Sequence, residues 1–214
     1  RDDPMLAEFL AELEVEEMGV GVPIEIRDLV EPFRIWQEGI VDRERRTGMY
    51  VMPGAINQAG LTNAMDRAQS AIQRGDTRGY RSSSQIATAM RLHHLINHLL
   101  CQGIAASRHF LSRMESEDSK SKSAKDFLRD PRVRSLSDRL LEMDEVHSKV
   151  GAVRRMVRER VKRDPESRII VFANYRDTVE ALEKALAGLE GVNAIQFIGQ
   201  SSRSGSGGLT SKQQ

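Results

Sequence analysis

Near the end of a chain otherwise patterned for helices, residues 168–172 read RIIVF, with Ile169, Ile170, Val171 and Phe172 in unbroken succession. A strand apolar on both faces must be covered on both, and parallel sheets are where such strands occur. The run stops at Ala173, Asn174, Tyr175, Arg176 and Asp177, and helical spacing resumes through Val179, Leu182 and Leu186. Gly188 and Gly191 end that helix, and VNAIQFIG supplies a second strand. Strand, helix and strand fit into about 31 residues, the size of one right-handed βαβ unit. Ligands of such sheets bind beyond the carboxyl ends of the strands, here residues 173–177 and 199–203. Backbone N–H groups at the helix start, with Asn174 and Arg176, would hold a phosphate. Asn174 and Asp177 would serve equally as plain caps, Asp177 and Glu180 having capping-box spacing.

Upstream, the pattern is helical. Residues 13–22, LEVEEMGVGV, alternate as an extended stretch whose phase shifts near Glu17. After Pro23, Ile26, Leu29, Val30, Phe33, Trp36 and Ile40 recur at helical spacing. Pro32 falls inside that run, at a cost of about 3 kcal/mol, and predicts a kink or restart. Beyond Gly48, Pro53 and Gly54, a second helix is expected near 55–74 (Ile56, Leu61, Met65, Ala68, Ile72). Gly75 and Gly79 break the chain, and Ser82, Ser83 and Ser84 offer N-caps for a long apolar helix over 85–102, closed by Gly103. That helix, apolar around most of its circumference, is expected at the centre of a bundle, with a shorter helix at 104–114. ESEDSKSKSAKD, residues 115–126, lacks periodicity and reads as a linker loop, open to phosphorylation. Asp130-Pro131 then opens a helix with Val133, Leu136 and Leu140 inward. Val150, Val153, Val157 and Val161 mark one face of the next, whose other face is Arg154, Arg155, Arg158, Arg160 and Lys162. The fold class is therefore mainly α with an α/β part.

The 214 residues suffice for one large domain or two small ones, and a 39% hydrophobic content supports a core. No stretch approaches the roughly 18 apolar residues of a membrane span. The acidic N-terminus lacks a signal-peptide pattern, and the single Cys101 cannot form an internal disulfide, as in a reducing cytosol. A start at Arg1 rather than Met points to a piece of something longer. Charge is sorted along the chain. Residues 1–44 hold 13 acidic groups against four Arg, whereas residues 45–113 hold nine Arg, no Lys and two Asp. Such segregation is expected of a polyanion partner or of a solvated helical face. The guanidinium fork matches phosphate oxygens, which favours the former.

Arg43, Arg45, Arg46, Arg67, Arg74, Arg78 and Arg81 are the phosphate-contact candidates. If four to six engage a duplex, the log–log salt slope is roughly −4 to −5. Pairing with the acidic N-terminal segment is the competing use. His94, His98 and Cys101, at i, i+4 and i+7, share a helical face. With no fourth ligand and no HExxH glutamate, they read as a structural or DNA-near cluster rather than a zinc site. Trp36 suits the core, or base stacking if exposed. No Ser-His-Asp spacing appears, and the acidic pairs Asp2-Asp3 and Glu16-Glu17 show no pocket, so no hydrolytic or transferase chemistry is assigned.

HSKVGAVRRMVRERVKRDPESRIIVFANYRDTVEALEKAL, followed by FIGQSSRSGSGGLTSKQQ, resembles the opening of the second RecA-like domain of superfamily 2 helicases of the archaeal Hef and eukaryotic FANCM type. The marks are HxK at His147–Lys149, the IIVFxNYRDT of motif IV at Ile169–Thr178, and the run from Gly199 to Gln213. GYRSSSQIATAMRLHHLINHLLCQGIAASRHFL resembles the thumb-like helical domain inserted between the two RecA-like domains. RDDP at 1–4 is similar to the exit from the first. The resemblance implies three parts: a linker over 1–26, a helical DNA-binding insert over 27–146, and the start of the second RecA-like domain over 147–214. It implies that Asn174, Tyr175 and Arg176 face DNA, and that Gly199, Gln200, Ser201 and Arg203 lie beside the backbone of the tracked strand. SSRSGSGG fits a flexible loop equally well.

The resemblance also implies a parent protein that is a cytoplasmic, archaeal, ATP- and magnesium-dependent helicase. Its expected partner is forked or branched DNA, with no membrane, and with sliding clamps or repair proteins as further partners. This stretch lacks GxxxxGK[ST], an Asp-Glu pair after a strand, and the arginine-rich helicase motif, so no cofactor and no independent ATPase activity are expected of it. Two rivals stand beside this reading. One is a helical protein-interaction module, and the other is an RNA-directed relative of the RIG-I and Dicer kind.

Overall fold

The computed structural model describes residues 15–116, 121–144, 148–173 and 176–197, the side chains of Ser148 and Asp177 excepted. Its helices are α1 (Ile24–Arg46), α2 (Gln58–Gln73), α3 (Arg78–Asn97), α4 (Ile104–Ser116), α5 (Lys122–Arg129), α6 (Pro131–Glu142), α7 (Ser148–Arg163) and α8 (Arg176–Leu186). A π-helical turn, His98–Gln102, joins α3 to α4. None of the described helices is long and apolar enough to cross a membrane.

α1 to α6 share one core. Ile26, Leu61, Leu92, Leu95 and Leu99 are wholly buried in it, with Phe127, Val133 and Leu140 contributed by the last two helices. α3 packs against α1, α2 and α5, the central place its apolar circumference predicts. α1 runs unbroken through Pro32 rather than restarting. The lost backbone bond is offset by the neighbours Leu29, Val30 and Phe33, each at most 4% exposed. Burying such side chains contributes about 1.5–3 kcal/mol apiece.

Two boundaries differ from expectation. α3 begins at Arg78, not after the serines, because the Asp76 carboxylate accepts the Arg78 N–H at 3.0 Å and opens the helix earlier. Ser82 is buried inside it. Gly79 is then no breaker, since a Cβ there would stand 2.7 Å from the Ala68 carbonyl oxygen and 2.8 Å from Ile72. Its lack of a side chain lets α2 and α3 approach closely. α5 occupies the second half of the expected 115–126 loop. Ser121 accepts the Ala124 N–H at 3.3 Å, and Phe127 fixes the short helix to the core. Residues 117–120 lie outside the described set.

α7 and α8 pack on one another, and α8 also meets α4. The π-turn joins them to the bundle. Thr178 donates to Gln102 Oε1 at 3.0 Å, and Lys149 Nζ reaches the Cys101 carbonyl at 3.5 Å. No β-strand forms among the described residues, so the expected βαβ pairing is not seen over 168–173 and 192–197. Ile169, Val171, Val192 and Ala194 do line a shared cavity with Val157, Val161, Val179 and Leu182. Their alternates do not find cover: Ile170 is 79% and Phe172 89% exposed, Ile195 82% and Phe197 68%. A parallel pair is weak per residue and persists when both of its faces are covered. Here one face is.

Candidate nucleic-acid interface

α2 turns Leu61, Ala64, Ala68 and Ala71 inward. Asn63, Asp66, Arg67, Ser70 and Arg74 follow at spacings of three and four and fall on the opposite side. They floor an open groove of about 580 Å³. One wall is the turn after α1, with Thr47, Gly48 and Met49, and the other is the start of α3, with Asp76 and Arg78. Gly75, at φ 82°, makes the tight turn that carries Asp76 and Arg78 back beside Arg74. Asp76 binds Arg78 at 2.8 Å. The hydrogen bonds from Arg78, side chain first and then backbone, hold the Asp76 carboxyl below its ordinary range, with Arg74 adding a smaller electrostatic pull. Arg67 and Arg74 are exposed, and neither side chain hydrogen-bonds or forms a close ion pair with a described residue. With Asp66 also present, the local positive excess is modest and resides on those two side chains.

The other four arginines lie elsewhere. Arg43 donates to Gln85 at 3.2 Å. Arg46 lies one turn from it on α1, and Arg81 one turn from Gln85 on α3, so these three gather where α1 ends and α3 begins. Arg45 points away. It pairs with Asp42 at 3.0 Å, donates to the Gly54 carbonyl at 3.0 Å and sits over the Tyr50 ring at 5.1 Å. Of the seven candidates, Arg45 and Arg78 are thus held by carboxylates. Of the candidates at the proposed strand ends, Arg176 opens α8 half-buried. Asn174, Tyr175, Gly199, Gln200, Ser201 and Arg203 lie outside the described residues.

Residues 54–147, which include the groove floor, match a family model described as "Putative ATP-dependent RNA helicase, helical bundle". A protein of Methanocaldococcus jannaschii named "Putative ATP-dependent RNA helicase MJ1505" is 25% identical over 213 residues, covering 100% of this chain and 26% of its own length. The crystal structure of the Pyrococcus furiosus Hef helicase domain superposes with a TM-score of 0.73 at 23% identity, over 95% of this chain and 43% of that one. The chain thus shares its fold with part of the Hef helicase domain and carries a helicase helical-bundle match over residues 54–147. It spans about a quarter of the curated relative. At this identity, the likeness to the Pyrococcus structure concerns the fold.

Within this fold His94 and His98 serve packing. His98 is buried and lies 5.0 Å from the Phe110 ring centre, with His94 at 6.5 Å from the same ring. The wider π-turn rotates Cys101 off their face, and it is exposed. Burial, then neighbouring positive charge, pushes His93 and His94 below the ordinary histidine value. Trp36 is stacked between Phe127, at 5.8 Å, and the Arg132 guanidinium, at 3.8 Å.

Two arginines that charge counting passed over are structural. Arg108 donates to the Leu140 and Met143 carbonyls at 2.7 and 3.1 Å, satisfying the C-terminus of α6. Half-buried Arg91 reaches Ser121 and Ser123 at 3.2 Å each. No local signal separates these two from surface arginines, because their partners are 30 or more residues away. Asn63 and Ser70 are different. Their helical spacing with Arg67 and Arg74 was readable, and would have placed the four on one face.

Proposed function

We propose that the Hef-like segment is the nucleic-acid-gripping part of an ATP-dependent helicase that remodels forked or branched DNA in repair and replication restart. The observation that supports it is the groove floored by Asn63, Arg67, Ser70 and Arg74, inside the stretch that matches a helicase helical bundle. Exposed guanidinium groups beside amide and hydroxyl groups suit phosphate contacts, which position a protein without reading sequence. Residues 27–146 are the helical insert in this reading, and 147–214 begin the second RecA-like domain. Its βαβ unit becomes a sheet when further strands cover Ile170 and Phe172. Clamp and repair partners, and a cytoplasmic, archaeal setting, belong to the same reading.

ATP and magnesium would be held by other parts of the parent helicase. The 214 residues contain no GxxxxGK[ST], and no group of three His, Cys, Asp or Glu gathers as a metal site among the described residues. The residues present do not fit these cofactors.

A second reading, an RNA-directed helicase, draws on the words "RNA helicase" in both the family description and the curated relative's name. Fluorescence anisotropy with labelled forked DNA, linear duplex DNA and double-stranded RNA, titrated with salt, tests both. Forked DNA is expected to bind tightest. Arg67→Gln/Arg74→Gln should shallow the salt slope by about 2, at 0.9 per phosphate. Equal or tighter RNA binding favours the second reading. Absence of binding to all three leaves the helical protein-interaction module.

A further inference from the structure

The exposed side of α7 carries a dense row of cations on one helical face. On a helix of 3.6 residues per turn, Arg154, Arg158, Lys162 and Arg155 fall within an arc of about 100°. All four are exposed, and none bonds or pairs with a described residue. Several other exposed arginines give their charge to a nearby carboxylate: Arg34 to Glu31 and Glu38, Arg78 to Asp76, Arg132 to Asp130, and Arg160 of α7 itself to Asp164. The stripe has Glu159 only at its edge. It places like charges one turn apart at 154/158, 158/162 and 155/158, an arrangement that weakens a helix.

Gly151 lies in the middle of the same arc. A Cβ there would meet nothing within 4 Å, and its φ is not positive, so neither packing nor backbone geometry calls for glycine. Glycine in a helix is a further local cost. Two costs without internal compensation coincide on one face, and both are relieved when a chain of anions lies across it. Positive groups neutralise the anions, and the missing side chain lets the anionic backbone come close.

We infer that this face of α7 is a second binding surface for a phosphodiester backbone, formed by Arg154, Arg155, Arg158 and Lys162 around Gly151. Three of its four cations are guanidinium groups, which fit phosphate oxygens in pairs. The surface lies on a different helix from the α2 groove and shares no lining residue with it. It therefore extends the nucleic-acid path from the helical bundle onto the α7–α8 unit, and it rests on the proposed function only in sharing the ligand class.

The test uses the whole chain with labelled duplex DNA and, in a second arm, duplex RNA, from about 50 to 200 mM salt. Replacing the four residues by Gln should leave the far-UV spectrum unchanged and shallow the salt slope by about 3 to 4. Arg154→Lys/Arg155→Lys/Arg158→Lys should keep the slope. Gly151→Ala should weaken binding several-fold while raising the melting temperature. A slope within about one of wild type in the Gln variant overturns the proposal, as does a Lys variant that loses as much. Tighter binding to polyglutamate than to either duplex also overturns it, by assigning the face to an acidic protein. Because Arg67→Gln/Arg74→Gln is measured alongside, a silent α7 with a responsive groove sinks this inference alone. If wild type binds neither duplex, the proposed function fails with it.

Discussion

The α7–α8 unit is at least as rich in Leu, Ile and Val as the α1–α6 bundle, yet the two reach very different degrees of closure. The bundle buries Ile26, Leu61, Leu92, Leu95 and Leu99 to within 2% exposure, and leaves only scattered apolar residues such as Ile35 and Leu141 outside. The α7–α8 unit buries Ala152, Val157, Leu182 and Leu186, but leaves Ile170, Phe172, Ile195 and Phe197 in solvent. The difference follows from where backbone hydrogen bonds go. A helix satisfies its own, so a few helices close a core once their apolar stripes meet. Extended segments need partners on each edge and cover on each face, and two of them cannot supply both.

The largest effect that would break this contrast is a core truncation. Leu92→Ala, at a wholly buried position in α3, should cost about 2–5 kcal/mol and shift cooperative urea unfolding of the bundle. Leu182→Ala, at 8% exposure beside an open cavity, should fall at or below the lower end of that range. Equal losses at the two sites, read from the same denaturation series, would show that the α7–α8 core is as tightly closed as the bundle.

A smaller effect separates two helical glycines. Gly79→Ala introduces a methyl against Ala68 and Ile72, and overpacking of this kind costs about 1–3 kcal/mol, against a helix-propensity gain of about 1. Gly151→Ala meets open space, and the propensity gain stands alone. The melting temperature should therefore fall for the first and rise for the second. A rise at Gly79 would mean that α2 and α3 are not held at the close distance that shapes the groove.

What the sequence revealed follows the same physics. Helices with a single apolar stripe were legible, as with Val133, Leu136 and Leu140 of α6, because period and burial coincide. The start of α3 was misread because three serines outweighed one aspartate, and the π-turn left no compositional mark. Continuous apolarity at Ile169–Phe172 was read as a strand covered on two faces, and no strand forms there among the described residues, because a composition cannot say whether the cover is present. For the groove, charge counting found Arg67, Arg74 and Arg78 but grouped them with Arg43, Arg45, Arg46 and Arg81, which the packing of α1 on α3 puts elsewhere. Side-chain direction, not residue type, divides that set.

The smallest expected effect uses protons to probe the bundle alone. His93 is half-buried and His94 more exposed on α3, and desolvation lowers both below the ordinary 6.5, helped by the charge of His94 on the first and of Arg113 on the second. In the unfolded chain they titrate near that ordinary value. The unfolded state therefore binds more protons just below pH 6.5, and stability must fall with pH there. Their contribution is fully present above about pH 6.5 and is lost as pH drops through the lower folded values. The urea midpoint should decline between about pH 7 and 5, and His93→Gln/His94→Gln should flatten the decline. The α7–α8 unit has no described histidine, so amide exchange in α8 should not follow the same curve. A parallel decline there would mean that the Thr178–Gln102 hydrogen bond couples the two regions into one cooperative unit, and the contrast between them would be one of exposure rather than of stability.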